Sequence, residues 1–390
     1  MSIECSNIQE LLDLEDIEEC EMMYSEKYGY FPFNISTWNP SEHFANSYLH
    51  NKIELKPFDY VPYIYSYELE TNIVDSTKRK LGGTDEFGCL ITNTGTSSIS
   101  LVTSVLKQKN VKRILLICPV YYSVLYNLSQ KEIIIKKVYL TRTPLGYRLP
   151  RKEILDLVDD IDAIWFTNPI YNTGEYLGEE DINFLKNNIP PSILLICDDC
   201  FASSKMEMIR HFREHPNYIS IHDPLKQIMV NGLKFSCILY SMQFQNLFEQ
   251  WSDIICGSLS YSSVQSLEFY NSEKFDTICL KLHSHFKKMD NHLAETTQNF
   301  PLISIDNALC YGHMRMAYIS HLPFNYLQDK ERFFKYMEET GTSLIPGNRF
   351  HFSNKTPFCF RINYGRECPE FWDALIRIFI YFSVKNLLNF

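Results

Sequence analysis

In the stretch His222-Asp223-Pro224-Leu225-Lys226-Gln227-Ile228-Met229-Val230-Asn231-Gly232-Leu233-Lys234, one lysine, Lys226, is followed by a glycine six residues on and by a second cation, Lys234, eight residues on. Most lysines are solvated surface groups. Lys226 differs in its setting: upstream, the apolar run at 193–197 ends in Asp198-Asp199, as a buried strand that delivers a carboxylate to its carboxyl end. An amine among such groups is a candidate nucleophile, with a pKa expected to be lowered by burial and cationic neighbours.

Outward from this stretch, the centre of the chain alternates short apolar runs with helical periodicity. Strands are expected at 113–118, 133–140, 163–167, 192–197 and 237–240, and helices at 96–106, 179–187 and 205–214. Continuous apolar strands separated by helices predict an α/β fold, its central sheet mostly parallel with helices on both faces. Ligands of such sheets collect beyond the carboxyl ends of the strands. The residues there are Pro119-Val120-Tyr121, Asn168-Pro169-Ile170-Tyr171-Asn172-Thr173-Gly174 and Asp198-Asp199-Cys200-Phe201. Toward the end, helical patterns at 333–339 and 371–388 mix with short strands near 343–345 and 359–363, predicting a smaller α+β C-terminal lobe. The expected division is an N-terminal segment (1–50) packing with the small lobe, a large ligand-binding domain (51–270) and a small C-terminal domain (271–390).

With 390 residues, the chain can bury a large core in two lobes. Its net charge of −10 argues against a nucleic-acid partner, whose phosphates require cations. Its 12 cysteines are scattered, several in apolar strands (Cys118, Cys197, Cys237) where a free thiol packs as a small hydrophobe, so no disulfide framework is expected. The acidic start, with Glu4, Glu10, Asp13, Glu15 and Asp16, lacks the basic-then-apolar order of a secretory leader, and no apolar run reaches bilayer length. A reduced, cytoplasmic setting without membrane contact is expected.

Thr94-Gly95-Thr96-Ser97-Ser98 opens an amphipathic helix with apolar positions at Ile99, Val102, Val105 and Leu106. Backbone N–H groups and small hydroxyls at a helix start form a phosphate site, although the same residues also serve as ordinary caps. A buried Asp198 needs a partner; a protonated pyridine nitrogen would supply one, and a plain strand-end turn is the alternative. Together these features fit an aldehyde cofactor that carries a phosphate and joins the Lys226 amine.

The order of the motifs resembles that of class I/II aminotransferases of the fold-type-I pyridoxal-phosphate-dependent superfamily. The resemblance covers residues 92–240, with a weaker echo at the C-terminus. It implies a Schiff base between Lys226 and pyridoxal 5′-phosphate, a phosphate cradle of Thr94, Gly95 and Thr96, stacking of Tyr121 on the cofactor ring, and pairing of Asp198 with the pyridine nitrogen. Asn168 begins the family's Asn-Pro element, and Lys234 stands where the family has a phosphate-binding arginine. Arg361, in Cys359-Phe360-Arg361-Ile362-Asn363, matches the arginine that grips a substrate carboxylate. Also implied are an amino acid substrate and a homodimer with shared active sites, to which a tyrosine of the cluster Tyr60, Tyr63, Tyr65 and Tyr67 can contribute. The implied reaction is transamination; elimination, cyclisation or oxidation of an amino acid with the same cofactor is the alternative.

Several positions depart from the family pattern. Tyr171 stands where an asparagine would donate to the cofactor's phenolic oxygen, and a one-residue shift gives that role to Asn172; both readings stay open. Phe201 replaces a tyrosine that would donate to the same oxygen. Asp223 replaces a phosphate-binding serine and is expected to point away, leaving Ser220 or His222 to fill in. Lys234 keeps the arginine's charge without its fork. Elsewhere, His211-Phe212-Arg213-Glu214-His215 has the spacing of zinc-peptidase ligands on a helix, but Pro216 follows at once and no third ligand stands out, so no metal is expected. Cys197-Asp198-Asp199-Cys200 lacks a second pair for a metal site.

Overall fold

The computed structural model describes residues 14–49, 53, 64–203, 205–230, 232–306, 312–347, 353 and 355–384. Among them, seven strands form one sheet: β1 (Phe87–Thr92), β2 (Arg113–Cys118), β3 (Ile134–Tyr139), β4 (Ala163–Thr167), β5 (Leu194–Asp198), β6 (Tyr218–His222) and β7 (Ser236–Ser241). Their spatial order is β1-β7-β6-β5-β4-β2-β3, and β7 alone runs antiparallel to its neighbours.

Both faces of the sheet are apolar because side chains alternate along each strand. In β2, Leu115 and Ile117 enter one buried cluster while Ile114, Leu116 and Cys118 enter the other. Helices Gly95–Gln108, Tyr122–Gln130 and Gln245–Cys256 cover the second face. Helix Glu179–Asn188 and part of the C-terminal lobe cover the first. This is the α/β class that the apolar runs predict.

Two departures from the expected elements have local causes. β1 carries Gly88, and β6 (Tyr-Ile-Ser-Ile-His) interleaves polar residues, so neither reads as a continuous apolar run. The expected helix at 205–214 is absent; its place holds a short turn, Met208–Arg210. There Lys205 adopts φ +76°, Asp199 Oδ2 accepts the Met208 N–H at 2.8 Å, and Glu207 pairs with Arg210 at 2.7 Å. His211 and His215 therefore share no helical face, and the zinc-peptidase geometry does not form.

The C-terminal lobe is built on an antiparallel sheet of β8 (Ile303–Ile305), β9 (Met314–Ile319) and β10 (Phe358–Asn363). The N-terminal segment is tied to it: helix Leu14–Tyr28 packs on helix Lys330–Thr340, and Phe33–Asn34 pairs in parallel with Thr342–Ser343. Asn363 N–H then donates to Ile35 O at 3.0 Å, which anchors the turn bearing Trp38 beside β10. Among the described residues every cysteine is a free thiol, and no helix is long and apolar enough to cross a membrane. Tyr65 and Tyr67 stack with centroids 5.5 Å apart. Tyr60 and Tyr63 lie outside the described residues.

Candidate active site

Helix Gly95–Gln108 begins just beyond the end of β1. Thr94 caps it in an extended conformation, its Oγ1 accepting the Ser97 N–H at 3.0 Å. A cavity of about 240 Å³ opens at this helix start, and Thr94, Gly95, Thr96, Tyr121, Tyr171, Asp198, Lys226 and Lys234 all line it. These residues come from the carboxyl ends of β1, β2, β4, β5 and β6, where loops leave the sheet and side chains can converge, except Lys234, which lies just before the amino end of the antiparallel β7.

Lys226 sits in the turn Pro224–Ile228, which closes on Met229 in the left-handed region (φ +58°). Its half-buried Nζ lies 3.5 Å from Asp223 Oδ2 and 4.8 Å from the centre of the Phe201 ring. Burial works to lower the ammonium's pKa, but Asp223 first, then Cys200 and Asp198, outweigh it and the net shift is upward. The expectation of a lowered pKa is thereby corrected: the close charges are negative, and they stabilise the cation.

Asp198 ends β5 facing the cavity, its Oδ1 accepting the Cys200 N–H at 3.1 Å. Asp199 faces the other way, taking the Cys197 thiol at 3.4 Å and the Met208 N–H. Tyr121 precedes helix Tyr122–Gln130, its ring 5.7 Å from that of Tyr171. Burial pushes the Tyr171 phenol up to about 12, against the charge of Arg361 and the amide of Asn172.

Asn168 is not among the cavity residues. Its Oδ1 accepts the Leu177 N–H and its backbone N–H donates to Asp198 O, each at 3.0 Å, so it braces the loop behind the aspartate. Asn172, at φ +61°, accepts a hydrogen bond from Arg361 Nη1 at 3.1 Å. Its Nδ2 is buried without a well-formed hydrogen bond among the described residues. Arg361 itself projects from β10, with Nε donating to Ser36 O at 2.8 Å and the guanidinium 4.2 Å from the centre of the Trp38 ring.

Asp223 points into the cavity, which corrects the expectation that it turns away. A Cβ added to Gly95 would lie 3.3 Å from its Oδ2 and 3.4 Å from Cys200 Sγ. Burial pushes the Asp223 carboxyl up, against Lys226, Lys234 and the Gly95 N–H that points at it. Ser220 and His222 do not fill in for it; they bond each other at 2.8 Å within the sheet. Lys234 is exposed at the cavity's edge.

No family model matches the chain, and no curated protein matches it by sequence. Its three-dimensional structure does have counterparts. The N-succinyldiaminopimelate aminotransferase of Mycobacterium tuberculosis is similar over 96% of this chain and 99% of its own, with a TM-score of 0.71 at 16% identity. For the aspartate aminotransferase of Rhizobium meliloti the shares are 98% and 97%, with a TM-score of 0.71 at 16% identity. A PLP-bound C–S lyase from Staphylococcus hominis is similar over 94% and 96%, with a TM-score of 0.68 at 15% identity. The chain has the fold of these enzymes.

On that fold, Trp38, its neighbour Asn39 and His313 line the cavity although they lie outside every motif of the sequence. Trp38 comes from the N-terminal segment and stacks on Phe201 at 5.3 Å. His313 enters from the C-terminal lobe; burial, then the charges of Arg315, Arg361 and Lys226, pushes its imidazole down to about 3, so it is neutral. None carries a local signal, since each reaches the cavity only when the small lobe and N-terminal segment dock.

Proposed function

We propose that this chain is a pyridoxal 5′-phosphate-dependent aminotransferase acting on an amino acid. One observation carries the reading: an amine (Lys226), a carboxylate (Asp198), an aromatic face (Tyr121) and a helix start (Thr94, Gly95, Thr96) converge on one cavity at the strand ends of this fold. These residues fit the cofactor along most of its length. Lys226 would take the aldehyde carbon, Asp198 the pyridine nitrogen and Tyr121 the ring face. The buried Asn172 Nδ2, with the Tyr171 hydroxyl beside it, would serve the phenolic oxygen. Thr94, Gly95, Thr96 and Lys234 would hold the phosphate, and Asn168 would brace the loop.

When bound, this cofactor supplies a covalent anchor for amines and an electron sink for charge developing at the substrate's α-carbon. The chain's own residues do the rest. Lys226 Nζ, which must first give up the proton that its acidic neighbours favour, would take the proton from the α-carbon and return it during turnover. Asp198 keeps a proton at the ring nitrogen by accepting its hydrogen bond. Arg361 receives the substrate carboxylate in its fork, oriented by Ser36 O and Asn172 Oδ1. A homodimer with shared active sites, a cytoplasmic location and the division into 1–50, 51–270 and 271–390 belong to the same reading.

The test is to incubate purified protein with pyridoxal phosphate, reduce with borohydride and map the product by mass spectrometry. One cofactor mass on the peptide that carries Lys226 supports the reading; protein that takes up none sinks it. The likeness to a C–S lyase favours a second reading, elimination at the β-carbon of an amino acid. Ammonia and a 2-oxo acid formed without an amino acceptor would support elimination. A 2-oxo acid formed only with an acceptor supports transamination.

A further inference from the structure

We propose that Asp223 competes with the cofactor's phosphate for the start of helix Gly95–Gln108, so that the site takes the dephosphorylated aldehyde, pyridoxal, on nearly equal terms with its phosphate ester. This inference rests on the cofactor reading above and refines it. A helix start attracts one anion through its exposed N–H groups and partial positive charge. Here an anion of the chain's own already stands there. Asp223 is 2% exposed, and its Oδ2 would touch a Cβ on Gly95 at 3.3 Å. The same oxygen lies 3.5 Å from Lys226 Nζ. Its Oδ1 is buried in the wall of the same cavity with no hydrogen-bond partner among the described residues. A carboxylate oxygen left in that position has no donor to gain from a phosphate dianion, which brings only acceptors.

The charge count leads to the same place. Among the residues lining the cavity, the charged groups are Lys226 and Lys234 against Asp198 and Asp223. They balance before any ligand arrives. Joining an aldehyde requires a neutral Lys226, which leaves Lys234, exposed at the edge, as the remaining cation of that set. A phosphate dianion beside Asp223 would then be poorly compensated, whereas pyridoxal brings no such charge. A serine three residues before the lysine would have donated a hydrogen bond to the phosphate; an aspartate repels it.

The experiment titrates the purified full-length protein with pyridoxal phosphate and with pyridoxal by calorimetry, and maps each borohydride-fixed product to Lys226. Wild-type affinities for the two aldehydes should agree within about tenfold. Asp223→Asn keeps the shape and removes one negative charge. It should tighten pyridoxal phosphate by about tenfold or more while pyridoxal changes by less than about threefold. Inorganic phosphate should raise the thermal midpoint of Asp223→Asn and leave wild type unmoved. Asp223→Ser repeats the measurement should the asparagine variant fold poorly. A wild type that prefers the phosphate ester by more than about a hundredfold, with no gain in either variant, would overturn the inference while leaving the cofactor reading intact. Absence of a Lys226 product with either aldehyde in every protein would overturn the cofactor reading, and the inference with it.

Discussion

Replacing Arg361 with lysine should lower kcat/KM for the preferred amino acid by about 10–150-fold. The guanidinium is held from behind by Ser36 O at 2.8 Å and Asn172 Oδ1 at 3.1 Å, and lies 4.2 Å from the Trp38 ring centre. Those contacts set the plane of the fork that would meet a carboxylate with two parallel hydrogen bonds. Lysine retains the charge and much of the attraction to the indole, but offers a single point donor. One charge-assisted hydrogen bond is worth about 1.5–3 kcal/mol, which converts to the stated loss. The assay follows 2-oxo acid release from the best substrate of an amino acid panel, beside the matching amino acid amide. In wild type the amide should be the poorer substrate by a similar factor. In Arg361→Lys the amide should react at nearly the wild-type rate, because the deleted contact is one that the amide never made well. An equal loss for acid and amide would refute the carboxylate role and assign Arg361 to packing between the lobes. No loss for either would mean that another group binds the carboxylate.

Lys226→Ala should abolish borohydride-fixable cofactor and lower 2-oxo acid formation by at least about 10²-fold, the lower end for losing a general base. Asp290→Ala should destabilise the fold by about 3–5 kcal/mol in urea titration, because it strands Arg315. Arg315 grips both Asp290 oxygens, at 2.7 and 2.6 Å, and is 1% exposed. A paired Arg315→Met, Asp290→Leu variant, which buries no lone charge, should lose less than Asp290→Ala. His222 and His313 are both pushed from 6.5 down to about 3, chiefly by burial. Between those values the unfolded chain binds protons that the folded chain does not, so stability falls as pH falls, by about 1.4 kcal/mol per pH unit for each histidine. His313→Gln should therefore lose about 1 kcal/mol less than wild type between pH 6.5 and 5.5 in paired urea titrations, because the unfolded histidine is already half protonated at pH 6.5. The buried carboxyls of Asp199 and Asp306, pushed up by burial, oppose this trend equally in both proteins and cancel in the comparison.

The sheet and its chemical ends are written in the linear chain. Strands β2, β4 and β5 are buried on both faces, so each is written as an unbroken apolar run, and the residue after each run marks the rim where ligands collect. Asp198, Tyr121 and Lys226 were legible for that reason, as was the helix start at Thr94-Gly95-Thr96, whose small residues are a local signature. Where the local pattern was weak or misleading, the expectation failed. Gly88 and the polar residues of β6 hid two strands. The helical periodicity at 205–214 gave no sign that Asp199 would take the Met208 N–H and turn the chain.

Tertiary structure alone decided the directions of side chains and the pairings of distant ones. Asn172 meets Arg361 across 189 residues of sequence, and Trp38 and His313 reach the cavity from a segment and a lobe that carry no βα pattern. The sign of the Lys226 shift reversed because the charges near it in space are Asp223 and Asp198. Asp223 faces the helix start through the docking of two turns that are far apart in the chain. Periodicity records which face of an element is buried. It does not record which polar group lies opposite, because that depends on packing between elements, and it is the opposing group that sets charge, affinity and chemistry at this site.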